Sequence, residues 1–205
     1  DRGYIFAMYG LAKYLLKQKH KEELAVHYLK LIVQQQAEGH PNLLPICQDE
    51  LARCFEKGIG IKHSDQNAFY YYKLAADNGY DLAQRKLGDA YLNGNLGLKQ
   101  SYQKSAHYYQ MAANQGNPVA LHRLGKLCEN GLGTEKSTEK AFIYFAQSVE
   151  KGWNYAFYDL GRCFELGIGI PSSGEQAKYY YSEGSKAGCK KCKRRLMGYS
   201  HAEII

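Results

Sequence analysis

The feature that most constrains this sequence is the return of the same residue types about every 36 residues. A leucine series, two glycine series and a serine series all advance in steps of 36 or 37 residues. Their members are Leu51, Leu87, Leu124, Leu160 and Leu196; Gly58, Gly94, Gly131 and Gly167; Gly79, Gly116, Gly152 and Gly188; and Ser64, Ser101, Ser137 and Ser173. A repeat of this length is one supersecondary unit that buries its apolar face by stacking on its neighbours, so the sequence predicts a stacked array.

Each unit is predicted to contain two antiparallel helices. In one unit Ala83, Leu87 and Tyr91 recur at four-residue spacing, which places them on one face of a helix. Gly94 is expected to end that helix, because glycine readily takes the left-handed conformation found after a helix. Ser101 is suited to cap the start of the second helix. The pattern therefore predicts an all-α fold built from helix pairs.

The four series also predict how the chain is divided. Residues 1–46 are assigned to a degenerate N-terminal helical repeat, four regular repeats occupy 47–191, and 192–205 begin a further or capping helix. The regular repeats are 47–82, 83–119, 120–155 and 156–191. Because the chain begins at Asp1 and not at Met, we expect a processed or excised segment, compatible with an array that extends further.

Most of the 19 tyrosines and six cysteines are predicted to pack inside the array. Aromatic pairs recur at equivalent places in the second helices: Tyr71-Tyr72, Tyr108-Tyr109, Tyr144-Phe145 and Tyr180-Tyr181. Cys189 and Cys192 form a lone Cys-x-x-Cys, whereas a structural zinc site needs four ligands, so we expect no metal, and a redox role is a minor alternative. No catalytic motif or phosphate-binding loop occurs, so neither catalysis nor a cofactor is expected.

These residues resemble the Sel1-like repeat family, a relative of the tetratricopeptide repeats. The family pattern is an Ala-x-x-x-Leu-Gly helix, a Gly-x-Gly turn and a second helix with paired aromatics, and it is matched over residues 47–198. The resemblance implies a right-handed superhelical α/α solenoid of antiparallel helix pairs. It also implies an adaptor or scaffold that assembles protein complexes. A cysteine-rich bacterial branch of the family is associated with penicillin binding, but the regular cysteine pairs of that branch are missing here.

The first helices supply the predicted binding residues. In arrays of helix pairs, the first helix of each unit lines the concave surface, so residues beside the recurring leucine are expected to face a groove. These residues are Arg85, Lys86, Asp89, His122, Arg123, Lys126, Tyr158 and Arg162. With a net charge of +7, we hypothesise that the groove binds a protein or peptide partner, and specifically an acidic segment. An ordinary solvated charged face is the competing interpretation, because acidic residues interrupt the basic series.

Two other functions stay open at this point. The chain could be a regulatory or docking region of a larger enzyme or signalling protein, or, less favoured, a basic nucleic-acid-binding helical repeat. No small-molecule substrate is expected. No apolar run approaches the ~20 residues that a membrane span needs. Irregular cysteines and the absence of a glycosylation sequon slightly favour the cytoplasm.

Overall fold

The structure is a computed structural model that describes residues 2–35, 40 and 42–202, and side chains within residues 4–198 of that part. Residues 36–39 and 41 of the predicted degenerate repeat, and 203–205 of the predicted further helix, lie outside it. The described residues form eleven α-helices and no β-strand. The helices are α1 (Arg2–Leu15), α2 (Glu22–Gln34), α3 (Leu43–Lys57), α4 (Asp65–Asp77), α5 (Asp81–Asn93), α6 (Tyr102–Asn114), α7 (Pro118–Asn130), α8 (Thr138–Glu150), α9 (Ala156–Leu166), α10 (Gly174–Lys186) and α11 (Lys190–Ala202).

The chain separates into two compact units, residues 1–101 and residues 102–205. In the first unit each helix from α1 to α4 packs on the next one in the chain. Its core contains Leu29, Leu51, Tyr72 and Leu87, each at most 1% exposed. Consecutive helices joined by short turns therefore bury one apolar stripe apiece, and the predicted all-α fold is confirmed.

In the second unit the helices from α6 to α11 likewise pack in chain order, and α11 also contacts α9. Tyr109, Leu124, Phe145, Leu160 and Tyr181 are each at most 1% exposed. The recurring leucine of each first helix and the second aromatic residue of each pair thus form the centre of the core. Burial of one such ring stabilises the fold by about 1.5–3 kcal/mol.

A glycine follows the recurring leucine because the aromatic ring of the second helix occupies the space of a side chain. A β-carbon on Gly125 would lie 2.7 Å from Cε1 of Phe145, and one on Gly161 would lie 2.6 Å from Cε1 of Tyr181. Both distances are shorter than van der Waals contact. Close packing against the ring therefore explains the glycine in these two repeats, whereas the repeat of Leu51 buries Ala52 at the same place.

The two glycines of each Gly-x-Gly turn have different tasks. Gly131 ends α7 in the left-handed conformation, with φ +67°. Gly133 has φ +69°, and a β-carbon there would lie 2.2 Å from the backbone carbonyl of Tyr102, the first residue of α6. Gly169 approaches Thr138, the first residue of α8, equally closely. The second glycine thus lets each turn touch the second helix of the preceding repeat.

Polar caps begin several of the second helices. The side-chain oxygens of Ser64, Ser137 and Ser173 each accept a hydrogen bond from the backbone N–H three residues further on. All six cysteines are buried free thiols, as the sequence predicted. Capping therefore explains these three serines, and packing explains the burial of the cysteines.

Replacing Gly133 by alanine is expected to destabilise the protein more than replacing Gly152, which also has positive φ but open space around it. Gly152→Ala should cost about 1 kcal/mol, the penalty for a β-carbon in the left-handed region. Gly133→Ala should cost about 1–3 kcal/mol more, because the methyl group must displace backbone. Urea unfolding measures both. Equal losses would show that the turn does not need this close approach.

Candidate functional site

The predicted binding residues of the first unit lie on α5, and their charges are paired. Arg85 Nη1 lies 2.6 Å from Asp89 Oδ2 within the same helix. Lys86 Nζ lies 2.7 Å from Oε1 of Glu56, which belongs to the preceding repeat. The hydroxyl of Tyr72 donates a hydrogen bond of 2.8 Å to the same carboxylate. The carboxylate of Glu56 therefore joins the two helices of its own repeat to the first helix of the next.

The second unit repeats this arrangement at α9, α10 and α11. The hydroxyl of Tyr181 donates a hydrogen bond of 2.8 Å to Glu165. Arg195 Nε and Nη2 donate to the same carboxylate at distances of 2.7–3.0 Å. A glutamate five residues after the recurring leucine thus binds a tyrosine of its own repeat and a cation of the next.

Three of the predicted binding residues, which lie on α7 and α9 of the second unit, come together around the carboxylate of Asp159. Asp159, 5% exposed, lies 2.7 Å from His122 Nε2 and 2.5 Å from Lys126 Nζ. Arg162 Nε approaches the same carboxylate to 3.8 Å. Arg162 also forms an ion pair with Glu129, which lies on α7. Lys126 and Arg162 therefore hold two repeats together.

The pKa of Asp159 reflects this setting. Burial alone would raise the pKa of the carboxyl group, but the hydrogen bond with His122 and the charge of Lys126 outweigh burial. The pKa consequently lies below its usual range, and the group is a carboxylate at neutral pH.

Asp49 on α3 of the first unit shows the opposite behaviour. It is 8% exposed. Burial, and then the charge of Glu50, raise its pKa to about 6, and the attraction of Arg53 compensates only in part. The ionised form of Asp49 is therefore unfavourable in the folded protein, whereas that of Asp159 is favourable.

A cavity of ≈ 530 Å³ opens beside the cluster around Asp159. It lies between the ends of α7, α9 and α11, and its walls combine aromatic and basic side chains. The lining residues are Val119, His122, Arg123, Trp153, Tyr155, Tyr158, Asp159, Gly188, Cys189, Lys190 and Lys191. Among the predicted binding residues, His122, Arg123 and Tyr158 belong to this cavity.

Of the aromatic residues in the wall of this cavity, Tyr158 was among the predicted binding residues, but Trp153 and Tyr155 were not. Trp153 and Tyr155 precede α9, with ring centroids 5.1 Å apart, and the Tyr155 ring is 64% exposed. The indole Nε1 of Trp153 is shielded from solvent and has no hydrogen-bond partner in the structure. Lys191 Nζ lies 5.5 Å from the ring centroid of Tyr158. Trp153 is the single tryptophan of the sequence, and this rare residue in a turn was the signal that could have identified the wall.

Two observations bear on other kinds of site. Within the described residues, no three His, Cys, Asp or Glu side chains form a cluster that could hold a metal ion. None of the helices described here is both long and apolar enough to cross a lipid bilayer.

Comparison with known proteins identifies the family. The Sel1 repeat model matches residues 5–35, 45–80, 81–117, 118–153 and 155–189. The chain therefore belongs to the Sel1 repeat family, whose members generally act as protein-interaction scaffolds and are typically not enzymes. No curated protein sequence gives a significant match.

Two solved structures resemble the chain over most of its length. A protective antigen of uropathogenic Escherichia coli with an SLR fold is 26% identical, with a TM-score of 0.85 over 95% of this chain and 40% of that one. A Sel1 repeat protein from Oxalobacter formigenes is also 26% identical, with a TM-score of 0.80 over 95% of this chain and 75% of its own. The chain thus spans less than half the length of the Escherichia coli relative. The predicted fold class, an α/α solenoid of the Sel1 type, is confirmed.

Replacing Asp159 by asparagine is expected to lower the free energy of unfolding at pH 7 by about 1–3 kcal/mol, because cations would lose a buried partner. The pKa of Asp159 is depressed in the folded state, so its stabilisation is complete above about pH 4, the value for an unfolded aspartate. That stabilisation disappears as the pH falls through the folded pKa. Urea unfolding should show a large difference in the free energy of unfolding between Asp159→Asn and wild type at pH 7, and a smaller difference at pH 3. An equal difference at both pH values would contradict the lowered pKa of Asp159.

Asparagine at position 49 should have the opposite effect. The raised pKa of Asp49 means that its ionisation destabilises the folded state increasingly from about pH 4 to pH 6. Asp49→Asn should therefore increase the free energy of unfolding by about 1 kcal/mol at pH 8, and should give little change at pH 4. Denaturant unfolding at both pH values measures this. A loss of stability at pH 8 would show that the carboxylate has a stabilising partner.

Proposed function

We propose that this chain is a protein-interaction scaffold that binds an acidic segment of a partner protein at the cavity between α7, α9 and α11. The observation that carries the proposal is the combination of basic side chains and exposed aromatic rings around one cavity. Such a surface provides both attraction for carboxylates and apolar contact area, which charge pairs alone do not supply.

The charges at the cavity favour an anionic partner. Arg123, Lys190 and Lys191 line it and are exposed. The buried carboxylate of Asp159 faces the same cavity, but His122 and Lys126 already bind it. The electrostatic field at the opening is therefore dominated by cations, which attract carboxylates and repel basic segments.

The aromatic side chains determine what else the segment must contain. Tyr155 presents an exposed ring, and Trp153 lines the same cavity. An apolar or aromatic side chain of the segment would cover the rings. We infer that the preferred segment combines carboxylates with at least one large apolar residue.

The predicted binding residues divide into two roles in this proposal. His122, Arg123 and Tyr158 would contact the partner, whereas Lys126 and Arg162 would maintain the positions of α7 and α9. The ion pairs of Arg85, Lys86 and Asp89 on α5 suit the second role as well. Binding energy is therefore expected from the cavity and only marginally from the other charged positions.

The proposal is tested with a peptide array in which the number of Asp and Glu residues varies at constant aromatic content. Binding should increase with carboxylate content and should change the fluorescence of Trp153. Lys190→Glu combined with Lys191→Glu should weaken binding about tenfold, the effect of roughly 1.4 kcal/mol. Higher salt should weaken it further.

Lys193→Glu combined with Arg194→Glu is the matched control, because both are exposed cations of the same helix that do not line the cavity. This variant should bind like wild type. An equal loss of affinity in both variants would show only a general effect of net charge. Binding that does not change with the number of carboxylates in the peptide would contradict the proposal. Tighter binding to a generic oligonucleotide than to any acidic peptide, with a steep salt dependence, would establish the nucleic-acid alternative instead.

A further inference from the structure

Cys189 and Cys192 are placed differently from the other buried cysteines. Cys189 immediately precedes α11, and its Sγ accepts a hydrogen bond of 3.4 Å from the backbone N–H of Cys192. Asn117 does the same for α7, where its side-chain oxygen accepts from the N–H of Ala120 at 3.0 Å. Cys189 therefore occupies a helix-capping position, where asparagine or serine would be the better residue.

The two sulfurs lie in one core cluster with Ala177 and Tyr181. Cys192 corresponds to Ala83, Ala120 and Ala156 in other repeats, each of which is fully buried. Its sulfur lies against Gly184, where an added β-carbon would be only 2.5 Å away. The sulfur of Cys189 lies 2.9 Å from that of Cys192, so the pair is arranged as a vicinal dithiol.

The cavity gives small molecules access to one side of this dithiol. Cys189 is 4% exposed and lines the cavity together with Lys190 and Lys191, whereas Cys192 is 0% exposed and is not among the lining residues. A reagent therefore meets the sulfur of Cys189 first. The neighbouring lysines favour a reagent that carries carboxylates.

We propose that Cys189 and Cys192 are a reversible modification site, which a small anionic disulfide such as oxidised glutathione converts to an intramolecular disulfide.

The reaction proceeds in two balanced steps. The thiolate of Cys189 attacks one sulfur of oxidised glutathione, forms a mixed disulfide and releases one glutathione thiolate. Cys192 then loses its proton to solvent and attacks the sulfur of Cys189, which releases the second glutathione as a thiolate. The protein gives up two hydrogens as protons and two electrons, and one glutathione disulfide becomes two glutathione thiols.

The order of the steps follows from burial. Burial, together with the adjacent sulfur of Cys189, raises the pKa of the Cys192 thiol. This thiol is consequently a poor first nucleophile. In the second step it is already beside its target, so proximity compensates for the small thiolate fraction.

The test is to incubate the folded protein with oxidised glutathione, alkylate the remaining thiols in acidic denaturant, and digest with a protease that cleaves after aromatic residues and leucine. Mass spectrometry should show that the peptide containing both cysteines has lost two hydrogens, and dithiothreitol should restore it. Oxidation there should be at least roughly tenfold faster than at Cys47, Cys54, Cys128 or Cys163, because only this pair combines access with a resolving thiol.

Two variants make the result decisive. Cys192→Ser should stop at the mixed disulfide, so the protein gains one glutathione on Cys189 and the fluorescence of Trp153, which lines the same cavity, changes. Cys189→Ser should remain unmodified at Cys192 while keeping its thermal stability, since serine is a good helix cap. Equal modification of all six thiols, no disulfide in wild type, or glutathione on Cys192 in Cys189→Ser would each overturn the proposal. None of these readouts depends on peptide binding.

Discussion

A buried aromatic ring in the second helix, Phe145 in α8 and Tyr181 in α10, determines how closely the two helices of these repeats approach. Phe145 and Tyr181 occupy the space where Gly125 and Gly161 lack a side chain, and a β-carbon at either glycine would overlap the ring. The recurring leucine beside each glycine then becomes fully buried. A large residue in one helix and a missing side chain in the other therefore fix the geometry of the pair, and the turns and caps operate within it.

On that scaffold, the surface charges of the first helices mostly serve the stacking of repeats. Glu56, Glu129 and Glu165 each pair with a cation that lies about one repeat later in the chain. Each of these ion pairs joins the first helices of two neighbouring repeats. Because the stacked helices hold the two side chains at a fixed separation, forming the pair costs little additional side-chain entropy. An excess of basic residues in the sequence consequently does not become a uniformly basic surface. The cations that we propose for recognition are those at the cavity, where the aromatic rings supply contact area.

The same cavity connects two chemical properties of the second unit. Its basic rim and aromatic wall suit an acidic segment, and the vicinal dithiol of Cys189 and Cys192 forms part of its boundary. Cys189 caps the start of α11, because its sulfur accepts a hydrogen bond from the backbone N–H of Cys192. Any change at this sulfur therefore affects the first turn of that helix. The proposed binding site and the proposed modification site are therefore adjacent in the structure.

The sequence by itself determined the fold class and the packing roles of the recurring residues. In α3, α5, α7 and α9, the leucine of the Leu51 series occupies one buried position, and the glycine of the Gly58 series ends the helix. Each constraint recurs at the same place in a repeat, so it appears in the sequence as regular spacing. The predicted first-helix positions also included His122, Arg123 and Tyr158, which the structure places in one cavity. Only the tertiary structure decided which charges are paired, because Glu129 and Arg162 are 33 residues apart and meet through helix stacking. It also brought Trp153 in a turn and Lys191 on α11 into the same cavity, a proximity that depends on the path of the chain and not on its period.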